Sequence, residues 1–336
     1  MSNRENDSFD KLNDSEMRGI FLEKDYVIGI DAGGTKVAYG LFNSVGAIVD
    51  RMQHPTDAEA DGPTFSDQVT LNVKTLMTKH ALTFERLAGI GIGMPSFILY
   101  DEGRILMTSV MTKIKDFPMR EYLEARLPTR IVLDNDSNAA AIAEFRHGAG
   151  RGARHMVYMS VSTGLGSGLI FDGKLFRGTY GWAGESGHML ATPNAGVLCG
   201  CENSGCYMSY VSGKFIPVHV KAGLENGFQS DLLDPDTVDG CMLLDAERQG
   251  DKLACHVIEQ MAHYMAVCVY NIYQLLNINT FVFGGGLTNL GDTLFKRVYE
   301  LFNEYNKIPL PVHFKMAELK ADFGIIGASE LLKAVI

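Results

Sequence analysis

The chain has 336 residues, 46% hydrophobic and 21% charged, a globular composition with room for two lobes of roughly 120 to 200 residues each. Its formal net charge of −10 argues against a generic nucleic-acid surface, which needs a basic face to displace phosphate counterions. No apolar run approaches the roughly 20 residues that cross a bilayer, and the polar start "MSNRENDSFDKLNDSEMRG" carries no secretory signal, so the expected location is the cytoplasm, with neither membrane nor nucleic acid as a partner.

Residues 1–24 read as a flexible tail because polar residues dominate and nothing periodic recurs. From Tyr26, "YVIGIDAGGTKVAYGLF" reads as two strands around a tight glycine turn, with a third strand after "NSVG" and a helix near residues 65 to 80. "LAGIGIGMPSF" reads as a buried strand entering a loop. Arg130 to Leu133 form the next predicted strand, followed by an alanine-rich helix opening near Ser137 or Asn138. "HMVYMSVSTGLGSGLIFDGKLF" repeats the strand, glycine turn, strand theme, which predicts a duplicated α/β lobe. The apolar-periodic "CHVIEQMAHYMAVCVYNIYQLL" predicts the longest helix, "NTFVFGGGLTN" a strand, and "ADFGIIGASELLKAV" a loop feeding a C-terminal helix.

A glycine-rich backbone can aim successive N–H groups at one point and so bind phosphate without a lysine-rich surface. "DAGGTK" offers Gly33, Gly34, Thr35 and Lys36, with Asp31 as a magnesium partner; "STGLGSG" offers Thr163, Gly164, Gly166 and Gly168. Neither fits the G-x-x-x-x-G-K-S/T loop or a G-x-G-x-x-G turn opening a helix, and either taken alone is also an ordinary hairpin turn. Together with "FGGG" at Phe283 to Gly286 they favour a nucleotide held between two lobes.

In "LDNDSNAAA" a strand ends and a helix begins, so Asp136, Ser137 or Asn138 can simply cap the helix. The functional alternative is that Asp136 takes the proton of a substrate hydroxyl as its oxygen attacks a phosphoryl group, one aligned base and one Mg2+ sufficing. Of the six cysteines, Cys199, Cys201 and Cys206 follow His188 in one glycine-rich loop. Three thiolates and one imidazole fill the tetrahedral shell of Zn2+ and leave no position for water, which makes the expected ion structural; the alternative is free thiols in a mobile loop. Plain burial is expected for Cys241, Cys255 and Cys268.

These segments resemble the ROK family (repressors, open reading frames, kinases), over nearly everything from Tyr26 to Ile336. "IDAGGTK" resembles the family's first phosphate motif and "STGLGSG" its second. "DNDSNAAAIAE" resembles the segment with the catalytic aspartate, "GESGH" with "CGCENSGC" the signature with its zinc site, and "FGGG" the adenosine-side motif. The resemblance implies an α/β, two-lobed, actin-like ATPase (ribonuclease H-like) fold with an active-site cleft between the lobes. The small lobe would be residues 25–137 plus 318–336, and the large lobe, with the zinc loop, residues 138–317. It implies an ATP-dependent kinase acting on a hexose or hexose derivative at C6, with Asp136 as general base. Asn135, Asp136, Glu185 and His188 would bind sugar; Asp31, Gly33, Gly34, Thr35, Lys36, Thr163, Gly164, Gly284, Gly285 and Gly286 would bind MgATP; and His188, Cys199, Cys201 and Cys206 would bind zinc, His188 using its other ring nitrogen toward sugar.

The sequence departs from the family's sugar kinases at three places, which hold Ser96, Val110 and Met208 where glycine, asparagine and glutamate are frequent. Losing the glutamate removes a charged acceptor for a sugar hydroxyl, worth roughly 1.5 to 3 kcal/mol, so an epimer, a modified hexose or a disaccharide is favoured over glucose unless other side chains compensate. A homodimer is expected because the helices after Lys252 are apolar on more than one face. The rivals are a sugar-sensing transcriptional regulator and a non-catalytic sugar-binding protein; a regulator would need a DNA-binding domain ahead of Asp31, which only 30 residues precede.

Overall fold

A computed structural model describes residues 25–333; the expected tail, residues 1–24, lies outside the described residues. The chain divides into two compact units, Met1–Ala143 with Arg177–Ala183 and Leu319–Ile336, and Glu144–Phe176 with Gly184–Glu318. These limits differ from the expected lobe boundaries at 137 and 318: the division falls inside a helix, and residues 177–183 leave the second unit to pack on the first.

The first unit is built on a five-stranded sheet in the order β3-β2-β1-β4-β8. Strands β1 (Tyr26–Ala32), β2 (Lys36–Asn43) and β3 (Ile48–Pro55) run antiparallel, while β4 (Leu87–Met94) and β8 (Ile131–Asn135) run parallel to β1. Helix α1 (Gly62–Lys79) starts three residues earlier than expected, because Asp61 accepts from Thr64 N at 2.9 Å and Pro63 occupies the first turn. Its buried face, Phe65, Val69, Val73, Leu76 and Met77, joins Ile28, Ile30, Val37, Tyr39 and Leu41 in one apolar core. Helix α2 (Met119–Glu124) packs beside it.

Where a loop was expected after β4, the chain forms a small antiparallel sheet of β5 (Ser96–Leu99), β6 (Arg104–Thr108) and β7 (Lys115–Phe117). Strands of three to five residues are too short to show a period. Helix α3 (Asp136–His147) follows β8 without a connecting loop.

The second unit repeats the first sheet's plan in the order β11-β10-β9-β12-β13. Strands β9 (Met156–Val161), β10 (Leu165–Phe171) and β11 (Lys174–Phe176) are antiparallel, and β12 (Thr280–Gly284) and β13 (His313–Met316) add in parallel. The short helices α4 (Met208–Val211), α5 (Ile216–Glu225) and α6 (Gly240–Arg248) lead to α7 (Lys252–Leu276), which Asp251 caps by accepting from Ala254 N at 2.8 Å. Helix α8 (Gly291–Tyr305) packs along α7. Cys268 is buried in α7, but Cys241 and Cys255 are exposed, contrary to expectation, because they sit on the outer faces of α6 and α7.

The chain returns to the first unit as α9 (Phe323–Leu331), lying on β1 and β4. Gly29 and Gly91 permit this: a methyl at either would overlap the carbonyl of Ile325 or Ala328, so only glycine lets the helix backbone touch the sheet.

Candidate active site

The turn between β1 and β2 is held from behind. Gly33 N donates to Lys36 O at 3.0 Å, Thr56 N to Thr35 O at 3.1 Å, and the Thr56 hydroxyl to Gly33 O at 2.7 Å. Gly34, Thr35 and Lys36 are exposed, while Asp31, at the end of β1, is half-buried with its carboxylate against Gly324, the second residue of α9. Burial, then the charge of Asp136, push the Asp31 pKa up to about 6, with Lys36 opposing.

Asp136 is the first residue of α3, and burial raises its pKa, opposed by the Ser137 amide. Ser137 N donates to Asn135 Oδ1 at 2.8 Å and Asp136 Oδ1 at 2.9 Å, so these residues cap the helix. The cap occupies Oδ1 of Asp136, and capping is therefore compatible with proton transfer at Oδ2. A carboxylate raised toward neutrality accepts a proton more readily than an ordinary one. The Asn135 carboxamide also donates to Ser96 O at 3.3 Å.

One constellation has no signal in the local sequence. Asp134, with 1% of its side chain exposed, accepts from Arg177 Nε at 2.7 Å and Asn138 Nδ2 at 2.7 Å, while the Arg177 guanidinium lies 4.0 Å from the centre of the Tyr100 ring. Asn135 N also donates to Asp134 Oδ1 at 2.8 Å. The buried pair therefore braces the strand end that presents Asn135 and Asp136. Its members are 43 residues apart, and no motif joins them.

In the second unit, the β9–β10 turn is closed by Ser162 N donating to Gly164 O at 2.9 Å and held by Gly213 N to Ser162 O at 2.8 Å and Lys214 N to Thr163 O at 3.2 Å. Gly285 has φ +92°, and a methyl there would stand 2.5 Å from Val161 O, so the Gly284–Gly286 bend folds against the end of β9 as only glycine allows. Thr163, Gly164 and Gly284–Gly286 thus form one cluster. Met208 Cε would meet a methyl placed on Gly164 at 3.6 Å or on Gly187 at 3.2 Å, so this side chain packs between the turn and the His188 segment. Val110, in the first unit, lies beside Gly34, where an added methyl would be 3.5 Å from its Cγ2.

His188 ends a short turn docked on β10 by the Ser167–Ser186 hydroxyl pair at 2.5 Å and by Ser167 N donating to Gly184 O at 3.1 Å. Its Nδ1 is 3.7 Å from Cys199 Sγ and its Nε2 is 4.0 Å from Glu185 Oε2. Cys201 and Cys206 Sγ are 3.6 Å apart, and the four ligand atoms lie within 4.8 Å of one another. Bonds of about 2.3 Å to sulfur and 2.0 Å to nitrogen in a tetrahedron require ligand separations of about 3.5 to 3.8 Å. The His188–Cys199 and Cys201–Cys206 pairs meet this, and the whole set needs to contract by no more than about 1 Å to close on an ion. Burial lowers the His188 pKa, favouring the neutral, ligating form, whereas burial and the neighbouring thiols push Cys206 up to about 12 without an ion. A bound divalent cation would offset that cost.

Residues 27–335 match the ROK family. The chain is 31% identical to a glucokinase of Halalkalibacterium halodurans over 314 residues, covering 92% of this chain and 95% of that one. Among solved structures it is similar to a ROK hexokinase from Thermus thermophilus, with a TM-score of 0.78 and 27% identity over 91% of this chain and 97% of that one. It is also similar to a ROK family glucokinase from Streptomyces griseus in complex with glucose and AMPPNP, with a TM-score of 0.74 and 27% identity over 91% and 98% of the two chains. The sheet plan, the glycine turns and these likenesses agree: the chain has the two-lobed, actin-like ATPase fold and belongs to the ROK family.

Proposed function

We propose that the protein is an ATP-dependent sugar kinase that phosphorylates a hexose or hexose derivative at its primary C6 hydroxyl, with Asp136 as general base. The observation that carries this reading is the placing of Asp136: a carboxylate of raised pKa at the first turn of α3, near enough to a second carboxylate, Asp31, to raise the latter's pKa.

In this reading Asn135 and Asp136 orient the acceptor hydroxyl, and Glu185 and His188 hold other sugar hydroxyls. Asp136 Oδ2 takes the hydroxyl proton as the oxygen attacks the γ-phosphorus, and the bond from that phosphorus to the β–γ bridging oxygen breaks, so that ADP leaves and the sugar carries the phosphoryl group. Asp31 would hold Mg2+, which would supply neutralisation of phosphate charge, and the amides of the turns at Gly33–Lys36 and Thr163–Gly164, with the Gly284–Gly286 bend, would hold the nucleotide. His188, Cys199, Cys201 and Cys206 would hold Zn2+, and that ligation would fix the His188 ring and, through the 185–188 turn, Glu185. Retaining free thiols for that ion favours a reducing compartment, which supports a cytoplasmic location. A homodimer through the α7 region completes the proposal, and a monomeric mass in light scattering at micromolar concentration would remove that part.

The test is coupled ADP release with MgATP across hexoses, N-acetylhexosamines and disaccharides, on wild type and Asp136→Asn. Wild type is expected to turn over one sugar class, and the variant to lose about 10²- to 10⁴-fold in kcat while sugar still shifts its melting temperature. Retained turnover in Asp136→Asn would name another base. A protein whose melting temperature responds to sugars, but which never releases ADP, would be a sensor instead.

A further inference from the structure

The segment Arg177–Ala183, "RGTYGWA", is strapped onto the first unit. Arg177 is tied to Asp134; Tyr180 O accepts from Tyr100 N at 3.2 Å; and Ala183 N donates back to Arg177 O at 3.0 Å, closing a loop. Gly181, at φ +111°, presses so closely on β5 that a methyl there would lie 2.7 Å from Ile98 O. The strap nevertheless leaves its aromatic residues in solvent. Tyr180 is 58% exposed and Trp182, the only tryptophan in the chain, is 37% exposed. Trp182 stands edge to face with Phe97, with ring centres 5.4 Å apart, and with Tyr180 at 5.8 Å. Across β5–β6, Phe97 is paired with Met107, itself 54% exposed. The result is an apolar patch whose backbone the strap's hydrogen bonds hold in place.

We infer that this patch is a subsite for a second pyranose ring, so that the preferred acceptor is a disaccharide or other glycoside rather than a free hexose. The inference rests on the sugar-kinase reading above and specifies its substrate class. Continuity supports it: Phe97 adjoins Ser96, whose carbonyl receives the Asn135 carboxamide, and Trp182 lies three residues before Glu185 in the chain. Size supports it as well. Four side chains cover far less than the roughly 800 Å² per partner of a stable protein interface, but they match one sugar ring, whose C–H face packs on aromatic rings. The strap's bonds hold Tyr180 and Trp182 in place before any ligand arrives, so little ordering cost opposes weak stacking. The departures at Ser96 and Met208 agree, since stacking of the second ring offsets a weaker hold on the first.

The lone tryptophan makes the test direct. Fluorescence of wild type and of Asp136→Asn is titrated with glucose, cellobiose and maltose, and kcat/KM is measured for each sugar on wild type, Trp182→Ala and Trp182→Phe. A disaccharide is expected to shift or quench the emission more than glucose does. Trp182→Ala should lower the disaccharide-to-glucose ratio of kcat/KM roughly tenfold, chiefly through KM, and Trp182→Phe should restore most of it. Equal losses on both sugars in Trp182→Ala, or a wild type that binds and phosphorylates glucose but no disaccharide, would overturn the inference while leaving the kinase reading standing. If disaccharides perturb the emission but no sugar is phosphorylated, the subsite stands and the kinase reading falls.

Discussion

The β1–β2 and β9–β10 turns occupy the same place in two sheets of the same strand order and direction, yet they are equipped differently. The first is flanked by titratable groups: Asp31 precedes it, Lys36 ends it, and the parallel strand β8 of its sheet leads directly into Asp136. The second has no carboxylate in the turn. Its neighbours are the Gly284–Gly286 bend, the Met208 methyl and, through the Gly187 segment, the cysteine loop. A duplicated backbone thus supplies the same glycine turn twice, and the flanking side chains differ: two carboxylates and a lysine on the first unit, a neutral glycine bend and a His/Cys cluster on the second.

The largest expected effect tests the His/Cys cluster. Chelation at neutral pH, or Cys206→Ser, should lower the melting temperature by roughly 10 °C, and metal analysis should find about one zinc per chain. Loss of protection in hydrogen exchange should centre on residues 185–211; an equal loss around the first turn would mean that the metal does not serve the second unit alone.

Glycine replacement gives a second, smaller contrast. Gly285→Ala forces a methyl to 2.5 Å from Val161 O at φ +92°, so about 1 to 3 kcal/mol of stability should be lost, together with at least a tenfold rise in KM for ATP. Gly33→Ala meets only Lys36 O at 3.3 Å and should cost less than about 1 kcal/mol in thermal unfolding. Equal costs would erase the distinction between an exposed turn and a packed bend.

The smallest effect is a pH dependence confined to the first unit. The folded-state pKa of Asp31 is raised from 3.8 to about 6, so between these values the folded chain binds more protons than the unfolded chain, and stability falls as pH rises through that window. Asp31→Asn carries no such proton. Its melting temperature should therefore gain on wild type from pH 4 to pH 6 and hold a constant lead above that, worth about 1 to 2 kcal/mol after discounting for partial exposure. Added Mg2+ should narrow the lead at pH 7, and a lead that shrinks as pH rises would reverse the assignment.

The features legible in the sequence were local ones. The glycine turns, the helix start at Asp136 to Asn138, the long apolar stripe of α7 and the His188–Cys206 ligand spacing each lie within a few turns of chain, where dihedral preference and side-chain period act directly. Even there the ends moved, because Asp61 and Asp251 cap α1 and α7 ahead of the apolar pattern used to locate them.

Strands β5 to β7 were illegible because segments so short depend on their neighbours for pairing, and the outer faces that leave Cys241 and Cys255 exposed depend on what packs opposite. The Asp134–Arg177 pair and the Phe97–Trp182 contact join residues far apart in sequence, and only folding sets their distances. By itself the sequence determined the chemistry available to this protein: a carboxylate at a helix start, amide-rich turns and a loop with one histidine and three cysteines in ligand spacing. The tertiary structure decided which strand end is braced, which methyl fills the second turn and which aromatic rings stay exposed, because burial and contact arise only once distant segments pack together.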